Sequence, residues 1–223
     1  MSSRRNRFLL VSVLVYILFA AADFLPFDVP AKMTFPLLWL SLAALWQRRW
    51  ALASALFCSF LGDVMGWKGE LIPQIGFFAL AQVLYIIIYI RLFPPSPSWS
   101  RLVNVAIAVL LAAVYGVAMM WIFPRVTDAF ISYGIAVYAV LLLAMCFSAS
   151  RHRSVCLILG ALLFVASDFI LGVHLLVERI PHAHQSIMVP YYLGQLLLFL
   201  GTLGLQRKQN RKGMHRLGTP LFV

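Results

Sequence analysis

Leu102–Phe123 reads LVNVAIAVLLAAVYGVAMMWIF, with Arg101 before it and Pro124-Arg125 after it. No charged residue interrupts it. An α-helix rises about 1.5 Å per residue and a bilayer's hydrocarbon core is about 30 Å thick, so about 20 apolar residues suffice to cross it. Working outward from this run, similar runs fall at 8–23, 31–46, 50–66, 71–92, 129–149, 154–177 and 187–205, separated by proline, charge or polar clusters. The expectation is an all-α polytopic membrane protein: a bundle of eight transmembrane helices over 1–206, followed by a basic tail over 207–223.

Composition fits that reading. The 223 residues are 63% hydrophobic and 11% charged, against about a quarter charged in soluble domains, and the mean hydropathy is +0.92. A soluble globular domain, a disordered chain and a disulfide scaffold are excluded. The first run follows Arg4, Arg5 and Arg7 in the manner of a signal peptide. No small-residue cleavage site is convincing, and Asp23–Pro30 reads as a turn into the next helix, so it is counted as a span.

The net charge of +11 is distributed as topology signals are. Fourteen of the 18 basic residues fall on one side of an eight-span arrangement. They are Arg4, Arg5, Arg7, Arg48, Arg49, Arg91, Arg101, Arg151, Arg153, Arg207, Lys208, Arg211, Lys212 and Arg216. Lys32, Lys68, Arg125 and Arg179 fall on the other. Positive residues accumulate on the cytoplasmic side, so both termini are expected there. No basic patch interleaved with aromatics marks a nucleic-acid partner. A bacterial inner membrane suits the compact form and the short basic tail.

Of the seven acids, Asp23, Asp28, Glu70, Asp128 and Glu178 lie in outer loops or near span ends. Asp63 and Asp168 lie within spans. Asp63 follows Trp50 by 13 residues and Asp168 follows Ser154 by 14, so both reach about 20 Å into the core on helices that run the same way. Intramembrane acids usually face a bundle interior or a water-filled cavity. Two carboxyls at one level in a low-dielectric site cannot both ionise freely, which leaves one proton donor and one carboxylate base.

Other polar side chains converge on this level. Phe78, Gln82, Tyr85 and Tyr89 form one face of the fourth helix, and Tyr191, Tyr192 and Gln195 one face of the eighth. Lys32 opens the second helix, either as a snorkelling cation or as a cation that lowers an acid's pKa or holds a lipid phosphate. Ser59 and Ser167 read as helix–helix hydrogen bonders, since no histidine is placed to activate them. His174 and Glu178 are spaced i, i+4, with His182 and His184 after them, but an exposed polar loop explains them without a metal. Cys58, Cys146 and Cys156 have no metal-ligand spacing. No metal or organic cofactor is expected. ALFCSFLGD at 55–63 and ALLFVASD at 161–168 each precede a later Gln beside Tyr, which suggests a parallel repeat of helices 1–4 and 5–8.

Along these residues the chain resembles the YhhN family, the lysoplasmalogenase family of integral membrane proteins. The matching pieces are Lys32-Met33, Leu61-Gly62-Asp63, Gly76–Tyr85 (GFFALAQVLY), Ser167–Leu171 (SDFIL) and Tyr191–Gln195 (YYLGQ). Together they cover nearly the whole membrane domain. Two departures stand out: Gln82 replaces a frequent His, and Met33 a frequent Pro. Gln cannot shuttle a proton at neutral pH. The resemblance implies hydrolysis of the vinyl ether bond of a lysoplasmalogen to a fatty aldehyde and a glycerophospho-alcohol. On that reading Asp63 and Asp168 are catalytic, and Lys32, Gln82, Tyr85, Tyr191, Tyr192 and Gln195 bind a lysophospholipid-type substrate among membrane lipids. The competing expectations are a proton-coupled transporter, a zinc-dependent intramembrane hydrolase and a lipid-binding relative that has lost catalysis.

Overall fold

The computed structural model describes residues 2–27, 29–95 and 99–217. Asp28, and the basic side chains of Arg4, Arg5, Lys208, Arg211, Lys212 and Arg216, lie outside the described set. The described chain is helical without a strand. Its helices are α1 (Ser2–Asp23), α2 (Phe35–Trp46), α3 (Trp50–Trp67), α4 (Leu71–Ile87), α5 (Arg101–Ile122), α6 (Ala129–Ser150), α7 (Val155–Leu176) and α8 (Ala183–Leu217). A 3-10 turn, Lys32–Thr34, leads into α2, and a π turn, Ile88–Leu92, prolongs α4.

Seven of the eight are long and apolar enough to cross a membrane. The exception is α2. Its 12 residues span about 18 Å as α-helix, and the 3-10 turn before it adds about 6 Å. The expected run from 31 starts late because Ala31 is left-handed at φ 55° and Pro36 supports a helix only in its first turn. The other end of the chain runs longer than expected. α8 continues past residue 206 to Leu217, and it begins early enough that Pro190 lies inside it rather than at its start. A proline there withholds one backbone donor, which an intramembrane helix tolerates where neighbours compensate. The Ile187 carbonyl takes the Ser167 hydroxyl at 2.9 Å.

Side-chain contacts set the helix directions. Phe8 stacks on Trp46 while Phe19 meets Phe35 and Trp39, so α1 and α2 are antiparallel. α3 and α4 meet at Gly62–Phe78 and Gly66–Gln74, and α7 and α8 at Gly160–Gly194 and Leu157–Gly201, both antiparallel. α4 and α8 instead run parallel. Phe78 packs on Tyr191, Tyr85 bonds Gln195, and Tyr89 bonds Thr202, a partner 113 residues further along. Tyr191 is also 113 residues beyond Phe78. Two of these three contacts join residues 113 apart, and Tyr85–Gln195 joins residues 110 apart. Arg48 and Arg153, in the matching turns α2–α3 and α6–α7, are both left-handed at φ 56° and 53°.

Packing is uneven. Gly160 and Gly194 sit back to back: a Cβ on either would lie 3.0 Å from the other's carbonyl oxygen. Small residues at such a crossing let two backbones approach, which is how dispersion contacts accumulate between helices in lipid. The apolar window of α8 is 61% buried and that of α5 only 11%.

Candidate active site

Asp63 projects from the last third of α3 into the packed half of the bundle and is 3% exposed. Its Oδ2 is buried without a hydrogen-bond partner, and so is the Tyr191 hydroxyl. Tyr191, Asp168 and Asp23 are the groups whose charge or dipole reaches it. Asp168, on α7, accepts a hydrogen bond from the Tyr138 hydroxyl of α6. The structure thus brings the two carboxyls within range of each other's charge.

Asp168 and Tyr138 also line a cavity of about 540 Å³ between α4, α5, α6 and α7. Its wall is otherwise almost wholly apolar, with Phe78, Leu142, Val165 and Phe169 among its side chains. Val117 and Leu162 on its rim are 68% and 47% exposed, so it opens onto the lipid-facing surface. A volume of this size is typical of sites for small ligands. Phe78 links the cavity wall to α3 and α8. Its ring lines the cavity, meets Tyr191 and Phe164 edge-on, and lies where a Cβ on Gly62 would come within 2.9 Å.

The two buried glutamines differ. Gln195 is fully used: its Oε1 accepts from Tyr85 O–H at 3.0 Å and its Nε2 donates to Ser59 Oγ at 3.1 Å. Ser59 in turn donates to the Ala55 carbonyl at 3.2 Å. This chain ties α4, α8 and α3 together, each satisfied bond contributing about 1 kcal/mol net. Gln82 is fully buried beside Tyr138, and neither its Oε1 nor its Nε2 has a hydrogen-bond partner. Tyr85 and Gln195 are thus occupied by protein groups, whereas Gln82 faces the Tyr138 hydroxyl and Tyr191 faces Asp63.

Tyr192 and Lys32 serve the end of the bundle where α1 leads into α2. The Tyr192 hydroxyl lies 3.0 Å from Asp23 Oδ2 and 2.9 Å from the Met33 carbonyl, one proton between two acceptors. Lys32 Nζ donates to the carbonyls of Leu25 at 2.6 Å and Phe27 at 3.1 Å, so it closes the α1–α2 loop. No contact brings it to Asp63 or Asp168.

Three participants escaped the sequence reading. Asp23, taken there for an ordinary outer-end acid, is 3% exposed and pairs with His184 Nε2 at 2.9 Å. His184 leaves the loop group in which it was weighed as a metal ligand, and His174 Nδ1 accepts the Ile180 amide instead. Among the described residues no group of three His, Cys, Asp or Glu could hold a metal. Tyr138 lies 12 residues before the end of α6, as Asp168 lies 13 after the start of α7. Residue counting along α6 therefore puts Tyr138 at a depth similar to that counted for Asp168 along α7.

The YhhN family model matches residues 27–202. Lysoplasmalogenase TMEM86B of Homo sapiens is 31% identical over 153 residues, which is 68% of this chain and 63% of that protein. The Sus scrofa protein of the same name is 30% identical over 152 residues, covering 67% and 62%, and the Rattus norvegicus one 27% over 157, covering 69% and 62%. The aligned segment thus spans under two thirds of the length of these relatives. No solved structure is significantly similar.

Proposed function

Because this chain belongs to the YhhN family, we propose that it is a multi-pass membrane hydrolase that cleaves the vinyl ether bond of lysoplasmalogens, releasing a fatty aldehyde and a glycerophospho-alcohol. The observation that carries the reading is a pair of intramembrane carboxyls within range of each other, one of them in the wall of an apolar cavity that opens to lipid. The names of the mammalian relatives point to the same chemistry.

Vinyl ethers hydrolyse by protonation at carbon, which leaves an oxocarbenium ion that water captures. One carboxylic acid supplies the proton, and the other, ionised, stabilises the cation and takes a proton from the attacking water. The alkenyl chain occupies the cavity. Gln82, beside Tyr138, and Tyr191, beside Asp63, bind the polar part of the lysophospholipid. Turning the Phe78 ring aside joins the cavity to Asp63. Tyr85, Gln195 and Tyr192 act by holding the helices, and Lys32 by ordering the outer loop. The basic side chains favour cytoplasmic termini, in a bacterial inner membrane.

Aldehyde release by purified protein in detergent tests the proposal, with a lysoplasmalogen and the matching acyl lysophospholipid as substrates. Release from the vinyl ether alone, lost in folded Asp63→Asn and Asp168→Asn, is the expected result. A well-folded wild-type protein that turns over neither substrate would sink it in favour of lipid binding or transport.

A further inference from the structure

The apolar wall of the cavity holds four polar side chains, Gln74, Tyr115, Tyr138 and Asp168. Tyr138 is spent on Asp168. Tyr115 lies six residues along α5 from Trp121, which packs on Phe169 beside Asp168, so about 9 Å of helix separates it from that contact. Gln74 is half-buried in the first turn of α4. Among the described residues its amide has no hydrogen-bond partner.

Helix directions fix its level. Phe78 on α4 meets Phe164 on α7 with ring centres 6.4 Å apart. These two helices are antiparallel, since α4 runs with α8 and α7 against it. Gln74 stands four residues before Phe78, and Asp168 four after Phe164. Both therefore lie about 6 Å from that contact in the same direction, and both line the cavity. Gly66 on α3 completes the setting: a Cβ there would lie 2.6 Å from Gln74 Nε2 and 3.4 Å from its Oε1. The glycine leaves the space in which the amide rests against α3.

The cavity continues past this level in both directions. One way it reaches Leu71 and Leu176, at the ends of α4 and α7. The other way it runs among the aliphatic side chains of Leu142, Leu143 and Leu162. A lysoplasmalogen with its alkenyl chain on the aliphatic side and its phosphate towards the helix ends sets the vinyl ether beside Asp168 and the glycerol beside Gln74.

We propose that Gln74 binds the free secondary hydroxyl of that glycerol, two carbons from the ether oxygen, and so determines the preference for a lysolipid over one acylated at the same position. The assignment rests on the lysoplasmalogenase reading. A primary amide carries both N–H donors and a carbonyl acceptor, so it serves a hydroxyl's lone pair and its proton together. The phosphate, an anion, calls for a cation and lies further from the reacting bond. An acyl ester at the hydroxyl position has no proton for the amide carbonyl and adds bulk against α3.

The experiment is kcat/KM for aldehyde release by the full chain in detergent, with a lysoplasmalogen and with its 2-deoxy counterpart, in which CH2 replaces the hydroxyl-bearing carbon. A site that bonds a substrate hydroxyl rejects the analogue lacking it, so the wild-type protein should prefer the lysoplasmalogen by about a hundredfold. In Gln74→Leu the preference should fall to about twofold or less, through loss on the hydroxylated substrate. Gly66→Ala keeps the amide but pushes it off α3, and should cut the preference about tenfold without lowering the midpoint of unfolding, since alanine favours the helix. It carries the test alone should Gln74→Leu fail to accumulate. A wild-type preference below about threefold, a preference that either folded variant retains, or equal loss on both substrates overturns the assignment and leaves the hydrolase reading intact. A well-folded wild-type protein that turns over neither substrate overturns the hydrolase reading first, and the assignment with it.

Discussion

Asp63, on α3, is buried at 3% exposure, on the side of the bundle where α8 packs on α7 through Gly160 and Gly194. Asp168, on α7, stands in the wall of a cavity whose far side is α5. The two surroundings carry through to whole helices, with the α8 window 61% buried and that of α5 only 11%. One carboxyl has a fixed, dry setting and the other has room beside it for a lipid chain. An acid–base pair needs both conditions, and a uniformly packed bundle would supply only the first.

The largest expected effect tests whether the two acids work as a unit across this divide. Asp63→Asn and Asp168→Asn should each lower kcat for aldehyde release by about 10³-fold. The double variant should be scarcely worse than either, since groups that act together are not additive. A single variant that keeps most of its activity would break the comparison.

Next is packing. Gly160→Leu forces a side chain into the α8 backbone and should cost about 3 kcal/mol, seen as a lowered midpoint of unfolding in detergent. Gly116→Ala on α5, where nothing lies within 4 Å of the added Cβ, should instead gain about 0.5 kcal/mol from helix propensity. Equal responses at the two glycines would mean that the halves are packed alike.

The two buried glutamines sharpen the contrast. Gln195→Leu strands Tyr85 and Ser59 and should cost about 2 kcal/mol of stability. Gln82→Leu buries no new orphan and should change stability by less than about 1 kcal/mol, while lowering kcat/KM about tenfold because the substrate loses its polar contact. Unfolding midpoints and steady-state kinetics on the same preparations would separate the two roles.

The smallest effect is in the cavity itself. Ala139→Phe, on its α6 wall, should raise KM for a long-chain lysoplasmalogen by about tenfold and for a short-chain one less. A loss independent of chain length would place the lipid chain elsewhere.

How much of this was legible depends on the range of the interaction concerned. The helices were, because crossing a bilayer requires a continuous apolar run and hydropathy reads it directly. Even so, α2 is shorter than its run, since Ala31 and Pro36 set where regular helix can begin. Asp63 and Asp168 stood out because an acid within an apolar span is conspicuous, and residue counting gave their depth. Asp23 did not stand out: at the end of α1 it looks like any boundary acid, and its burial depends on His184 and Tyr192 more than 150 residues away. Gln82 and Gln195 look alike in sequence, each one turn beyond an aromatic residue, and only their partners tell them apart.

By itself the sequence determined that the chain is a bundle of apolar helices with two acids inside them, and motif order placed it beside a family. Those are properties of residue type and spacing, which act locally along a helix. Tertiary structure alone decided that one acid is dry and the other lines a cavity, and which polar atoms are spent on protein and which are left for a ligand. Charge, burial and hydrogen bonding are set by whatever packs against a side chain, and in a helical bundle that neighbour comes from a different helix.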